Sequence, residues 1–567
     1  MKNFLITIFL ILSFLSNFVE ASDHSKSIVV TSNPYASKAA AEILRNGGSA
    51  VDAAITAQFV LTLTQPQSTG IGGGAFMLYW DKNSGKLYAL DGREKAPASA
   101  SPQLFLNKDG QPRKFYPDAV VGGISVGVPG MMRFLEQAHK KFGKLEWSVL
   151  LEYPIRLAEE GFKLSSALYR TLSFLPDLKK IEPASSYFYK DNRNGELTPL
   201  PIGTILTNAE YAKTLKRIAK FGPEELYSGK TANLIINAVN NSPVSPGLIT
   251  LEDLANYTAV WRDPICGFYR KYKVCSMPPP TSGGITMLMM LKMLERFDIE
   301  SEHPNSPNFI HLFSEAGSLA YADRDYYIAD PDFVDIPVNG MLSEDYISER
   351  SKLIKKETSL RDRKPGKPKG YTKFSKNVDI SRPSTSHLVI VDNFGNSISL
   401  TSTIEGPFGS HLMAGGFMLN NELTDFSLIP KKNGLFVANR VEANKRPRSS
   451  MTPTIIFNPE GEIYALTGSP GGNSIIGYVT KSVMAMVDWD LSPQDTVSLP
   501  HFIRKGENTE LERGTDIVRY KQFLEKKGHK VVIIPKVSGL QIIKKKNKGF
   551  IGGTDPRGEG LVIPINK

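Results

Sequence analysis

Two apolar periodicities alternate along this chain. After Asn33-Pro34-Tyr35-Ala36-Ser37, apolar residues recur at roughly helical spacing: Ala40, Ile43, Leu44, Ala50, Val51, Ala54 and Ile55. Gly47-Gly48 interrupts them, so the pattern predicts helical structure broken at the glycine pair. Gly70-Ile71-Gly72-Gly73-Gly74-Ala75 then leads into Phe76-Met77-Leu78-Tyr79-Trp80, a strand-like run. A glycine cluster ahead of a strand, with no Gly-Lys-Ser/Thr after it, fits close backbone packing better than a phosphate cradle. Residues 131–260 alternate helical patterns with polar loops, and Ser276 to Gly284, with three consecutive prolines and a glycine pair, predicts a rigid loop. Helical periodicity returns from Thr286 to about Phe297 and near Phe309 to Asp323.

Beyond residue 352 the character changes. Lys352 to Lys376 carries ten Lys/Arg against two acids, and Pro365, Gly366, Pro368, Gly370 and Pro383 punctuate residues 352–384. This predicts an exposed, mobile basic linker. Strands follow at once: His387-Leu388-Val389-Ile390-Val391 and Ser397-Ile398-Ser399-Leu400-Thr401, joined through Asp392-Asn393-Phe394-Gly395-Asn396. A three-residue hairpin loop with Gly395 in the left-handed position pairs Asp392 with Asn396. Counting outward, His387 meets Thr401 and Thr385 meets Thr403. Two threonine hydroxyls therefore face each other, and a one-residue slip would undo the pairing. Facing threonines are, in general, more often ordinary strand packing than catalysis.

Composition narrows the class. The chain has 567 residues, 41% hydrophobic and 22% charged, which excludes a disordered, collagen-like or disulfide-scaffold protein. The formal charge of +11 is concentrated in the linker and in Lys544, Lys545, Lys546 and Lys548, so no nucleic-acid partner is expected. At the N-terminus, Lys2, an apolar run from Phe4 to Leu12 and Val19-Glu20-Ala21 have the layout of a secretory signal peptide over residues 1–21. Export to the periplasm or beyond is expected, with retention as an uncleaved anchor the alternative. The two cysteines, Cys266 and Cys275, lie opposite each other if Arg270-Lys271 is a hairpin turn. Such directly opposed positions often suit a disulfide poorly, so the pairing stays open. No metal-ligand spacing is present, and neither a metal nor a cofactor is expected.

The segments around the hairpin bring these readings together. Pro383-Ser384-Thr385-Ser386-His387 stands with Asp91-Gly92-Arg93-Glu94-Lys95-Ala96-Pro97, Ser276-Met277-Pro278-Pro279-Pro280-Thr281-Ser282-Gly283-Gly284 and Tyr321-Ala322-Asp323-Arg324. Later come Leu419-Asn420-Asn421-Glu422, Asp425-Phe426-Ser427, Asn444-Lys445-Arg446-Pro447-Arg448-Ser449-Ser450-Met451 and Thr467-Gly468-Ser469-Pro470-Gly471-Gly472. In this order and spacing the chain closely resembles the gamma-glutamyltranspeptidase family of N-terminal nucleophile hydrolases, over nearly its whole mature length.

The resemblance implies an α+β fold, a four-layer αββα sandwich built from two chains after self-cleavage. The matching bond is Ser384–Thr385, giving a large subunit of 22–384 and a small catalytic subunit of 385–567 that stay together as a heterodimer. It implies Thr385 as nucleophile, its freed α-amine as general base, and Thr403 as the residue that orients its hydroxyl. It implies a γ-glutamyl donor such as glutathione, with Arg93, Ser449 and Ser450 on the α-carboxylate and Glu422 and Asp425 on the ammonium. Gly471 and Gly472 match the oxyanion hole. His387, on the same strand face as Thr385, is expected to be structural. Two departures stand out. Well-studied members carry Asn where this chain has Glu405, placed here with the ammonium acids, and many have a longer stretch than Leu428 to Ala443. Both features point toward the broader group of cephalosporin and glutaryl acylases. A self-processing γ-glutamyl hydrolase/transpeptidase is therefore weighed against an acylase of the same architecture, and against an exported binding protein that kept the fold alone.

Overall fold

The computed structural model describes residues 25–192, 194–377, 380 and 382–566; the expected signal peptide lies outside them. The first helix, α1 (Pro34–Arg45), starts where Asn33 accepts the Tyr35 amide and Pro34 takes the first helical position. The second, α2 (Ala50–Thr64), starts on a reciprocal Ser49–Asp52 capping box. The glycine pair separates them, as its position in the pattern predicts. Three further helices frame the core: α3 (Gly283–Leu294), α4 (Pro307–Tyr327) and α5 (Ile475–Asp488).

Thirteen strands build two sheets. In chain order they are β1 (Ser27–Thr31), β2 (Gly74–Asp81), β3 (Lys86–Gly92), β4 (Val260–Arg262), β5 (Ile265–Tyr269), β6 (Tyr272–Ser276) and β7 (Ser386–Val391). They continue as β8 (Ser397–Thr403), β9 (Thr454–Phe457), β10 (Ile463–Gly468), β11 (Gln541–Lys546), β12 (Gly549–Thr554) and β13 (Leu561–Ile565). One sheet has the order β13-β1-β7-β8-β2-β3-β4 and the other β12-β11-β10-β9-β6-β5.

Strand alternation decides the layering. Val29, Leu388, Ile390, Ile398 and Leu400 point into a core shared with α1 and α2. Their neighbours Ile28, Val30, Val389 and Val391 point the other way, into a core with Val274, Ile455, Leu466 and Ile542 of the second sheet. The outer face of that sheet is covered by α3 and α5. Helices, sheet, sheet and helices give the expected α+β αββα sandwich. A strand buried on both faces reads as a continuous apolar run, which is why Leu388 to Val391 shows no alternation.

The β7–β8 hairpin has the expected register, with His387 opposite Thr401 and Val391 opposite Ser397. Gly395 takes φ +83° in its loop. The Asp392 carboxylate accepts the amides of Phe394, Asn396 and Ala50, which ties the hairpin tip to the start of α2. The early glycine cluster packs behind β8: a Cβ on Gly73 would lie 2.0 Å from the Thr403 carbonyl oxygen. Cys266 and Cys275 are directly paired on β5 and β6 and are joined by a disulfide. Among the described residues, no helix is long and apolar enough to cross a membrane.

Among the described residues, the basic stretch after 352 has neither helix nor strand between Lys352 and Ser386, and its middle is hydrogen-bonded to α4. Ser359 and the Leu360 amide donate to the Glu315 carboxylate at 2.7 and 2.6 Å, and the Gly366 amide donates to Asp323 at 2.7 Å. Buried acids on the helix capture backbone donors of the segment, a tertiary attraction that local composition does not display.

Candidate active site

Thr385 immediately precedes β7, and the hairpin register carries it to Thr403 at the end of β8. Their hydroxyl oxygens are 3.0 Å apart. The Thr403 oxygen also accepts the Glu405 amide at 2.9 Å, which fixes its rotamer. Thr385 has φ +96°, a left-handed conformation that is strained for a β-branched residue. The peptide before it is held on both sides: the Ser384 hydroxyl donates to the Gln67 carbonyl at 2.6 Å, and the Ser384 carbonyl accepts the Gly471 amide at 3.2 Å. Gly471 and Gly472 have φ of +136° and +56°. Only glycine adopts the first freely, and a Cβ there would meet the Tyr478 ring at 2.6 Å.

The remaining expected residues line the same narrow cleft. Arg93, Thr385, Thr403, Glu405, Glu422, Asp425, Ser449, Ser450 and Gly472 come together there, with about 30 Å³ of free volume. That is room for about one water molecule. Arg382, Met451, Asn473 and Ile475 complete the lining, and the Arg382 guanidinium lies over the Tyr116 ring at 3.7 Å. Arg382 was not singled out in the sequence; its only signal is its place beside Pro383-Ser384.

Arg93 organises the acids. It is buried, forms ion pairs with Glu422 and with Asp425 (the latter at 2.5 Å), and donates to the carbonyls of Pro447 and Arg448 at 3.1 Å. Burial opposes its charge, but Glu422 and Asp425 outweigh that and keep the guanidinium charged. Four carboxyl groups surround it. Burial, with Asp425 adding, pushes Glu405 well above the usual carboxylate range, although Asn421 donates to it at 2.7 Å. Burial also raises Glu422 well above that range, with Glu94 adding. Glu94 itself is pushed up to about 7 by burial. Glu94 is fully buried against Glu422. The signal was its adjacency to Arg93; its meaning depends on a neighbour far away in sequence.

Ser450 accepts from Arg324 at 2.7 Å and Ser449 accepts the Met451 amide at 3.1 Å. His387 is buried, bonds Thr401 at 2.8 Å and is pushed down to about 3 by burial, so it is neutral. This is the structural role expected of it.

Away from the cleft, the structure gathers His311, Glu315 and His529, a set of metal-ligand types that sequence spacing did not bring out. His311 and Glu315 are one helical turn apart on α4. The His311 Nε2–H donates to the Lys355 carbonyl at 2.7 Å, so its Nδ1 accepts from His529 Nε2–H at 2.7 Å, and His529 Nδ1 accepts from Thr509 at 2.7 Å. Glu315 pairs with Arg504 at 2.7 Å. Every ring nitrogen is satisfied by a neutral hydrogen-bond chain that ties the basic segment to α4.

The sequence profile of the family described as Gamma-glutamyltranspeptidase matches residues 36–565. The chain is 36% identical to the glutathione hydrolase proenzyme of Bacillus subtilis strain 168, over 95% of this chain and 91% of that one. Among solved structures it is similar to the cephalosporin acylase from Bacillus halodurans, with TM-score 0.83, 29% identity and 96% of each chain covered. It is also similar to the gamma-glutamyltranspeptidase of Helicobacter pylori, with TM-score 0.57 and 34% identity, over 61% of this chain and 97% of that one.

Proposed function

The chain belongs to the gamma-glutamyltranspeptidase family of N-terminal nucleophile hydrolases, and from that premise we propose that it is a self-processing γ-glutamyl hydrolase/transpeptidase with Thr385 as nucleophile. The observation that carries the reading is the Ser384–Thr385 peptide, with its carbonyl on the Gly471 amide and Thr385 at φ +96°. The Thr385 hydroxyl adds to the Ser384 carbonyl carbon, and Gly471 stabilises the oxyanion. The C–N bond breaks, leaving an ester on the Thr385 oxygen and a free α-amine that takes up the hydroxyl proton. Water then opens the ester, giving a Ser384 carboxylate and a free Thr385. Residues 22–384 and 385–567 remain associated as large and small subunits.

The α-amine so released has an ordinary pKa of about 7.7–8.0, so part of it is neutral near pH 7 and accepts the hydroxyl proton. Thr385 attacks the γ-carbonyl of the donor, the α-amine passes the proton to the departing amine, and a γ-glutamyl ester remains on Thr385. Water or an amino acid or peptide amine releases it. Arg93, Ser449 and Ser450 hold the donor α-carboxylate, for which a planar guanidinium fork is suited. Glu405, Glu422 and Asp425 hold its ammonium. Export is part of the proposal, supported by the signal-like N-terminus and by a disulfide that an oxidising compartment would preserve.

A second reading, an acylase for glutaryl-type side chains, is favoured by Glu405 and by the similarity to a cephalosporin acylase. The acids argue against it. A glutaryl group has no ammonium to offer Glu405, whose hydrogen-bond partner is the neutral Asn421 amide while Arg93 pairs with Glu422 and Asp425. The test is the ratio of cleavage rates on a γ-glutamyl amide and the matching glutaryl amide. A strong γ-glutamyl preference, narrowed by Glu405→Gln, is expected; comparable rates on both would reject the proposal for the acylase.

A further inference from the structure

Two lysine-rich segments that lie far apart in the sequence share one face of the molecule. The first, Lys352 to Glu357, begins at the end of the helix Glu344–Lys352; the second, Lys521 to Lys530, contains the short helix Lys521–Lys526. They are fixed against each other. The Ser359 amide donates to the Lys527 carbonyl at 2.7 Å, and the Lys527 ammonium donates to the Lys356 carbonyl. Behind them, His311 bonds the Lys355 carbonyl and His529, each at 2.7 Å. A cut before Thr385 would leave one segment in each subunit, so the face belongs to the assembled pair.

Its charge is one-sided. The two segments hold seven lysines and two glutamates. Lys521 pairs with Glu525 at 3.8 Å, and Lys530 pairs with Glu507 at 3.0 Å. Glu357 is then the one acid of the two segments left beside Lys352, Lys355, Lys356 and Lys526, all of them exposed. Each segment also carries an apolar pair with one member turned in and one turned out. Ile354 and Leu524 are buried in the same core, whereas Leu353 and Phe523, just before them, are 42% and 37% exposed. The Phe523 ring lies 5.1 Å from the same Lys527 ammonium that reaches Lys356, so ring and lysines form one patch.

Exposed apolar side chains set among lysines suit a lipid surface. The ammonium groups meet anionic headgroups, and the apolar groups enter the boundary between headgroups and acyl chains. A soluble polyanion would engage the lysines and leave Leu353 and Phe523 in water. We infer that this face docks the protein on an anionic lipid membrane. Each lysine close to such a surface raises partitioning about fivefold. The attraction reaches about 10 Å at ordinary ionic strength and is screened by added salt.

The test is cosedimentation of the full chain with vesicles of phosphatidylcholine, with and without about one third phosphatidylglycerol. The readout is the ratio of partition coefficients on the two vesicles, so that binding through the apolar N-terminal run, which needs no lipid charge, cancels. A ratio of about ten or more is expected at about 50 mM salt, falling toward one at about 500 mM. Lys355→Gln with Lys356→Gln should bring the ratio toward one, and Lys355→Arg with Lys356→Arg should keep it, which separates charge from folding. Phe523→Ser keeps every charge and should weaken binding to the anionic vesicles about threefold or more. A ratio near one in the unmodified protein overturns the inference, as does an unchanged ratio in the Gln pair or unchanged binding in Phe523→Ser. Lysine-dependent capture by soluble polyaspartate, with none by vesicles, also overturns it and gives the face to an acidic polymer.

Discussion

Thr403 faces Thr385 hydroxyl to hydroxyl at 3.0 Å, while its own oxygen is held by the Glu405 amide at 2.9 Å. The proposed nucleophile, Thr385, is thus aimed by a residue whose rotamer is itself fixed. Removing one such orienting hydrogen bond costs about 1–1.5 kcal/mol, or roughly tenfold in rate. Thr403→Val should therefore slow chain splitting about tenfold or more in a time course on denaturing gels, while Thr403→Ser, which keeps the hydroxyl, should stay close to the unmodified rate. Equal rates for Val and Ser would show that Thr403 only packs.

Arg93 bridges two acids of the cleft and two backbone carbonyls. Arg93→Lys keeps the charge and loses the fork. The donor KM should rise about tenfold or more, with self-cleavage intact, because the Ser384–Thr385 peptide has no free α-carboxylate to grip. Steady-state kinetics on the processed variant checks this. A variant that stays as one chain would make Arg93 a residue of the fold instead.

The facing threonines were legible in the sequence because a hairpin is local: Gly395 sets the loop and the loop sets the register. The acid cluster was only half legible. Glu422 and Asp425 stand in recognisable motifs and Glu405 marks a departure from the pattern, but the burial of Glu94 against Glu422 is a contact between distant segments. The fastening of 359–366 was hidden for the same reason. Ten basic residues from Lys352 to Lys376 read as an exposed linker until Glu315 and Asp323 of α4 are placed beside them. Arg382 was missed because nothing in Arg-Pro-Ser announces that its side chain lines the cleft.

Glu94 gives a pH signature. Burial lifts its carboxyl from the ordinary 4.5 to about 7 in the folded protein, so the folded state binds this proton more tightly than the unfolded chain. The stability it contributes is complete below the ordinary value and is lost as pH rises through about 7. The Tm of the uncut Thr385→Ala protein should fall between pH 5 and pH 8, and Glu94→Gln in that background should flatten the fall. Parallel Tm curves for the two proteins would mean that Glu94 does not hold the proton.

The central claim is that the chain cuts itself before Thr385 and then works with that residue as its nucleophile. Intact-mass spectrometry of the purified, denatured protein tests it most directly. Two chains meeting between Ser384 and Thr385 are expected, with Thr385→Ala remaining a single chain. A cut at another bond, or Thr385→Ala split as efficiently as the unmodified protein, would contradict it.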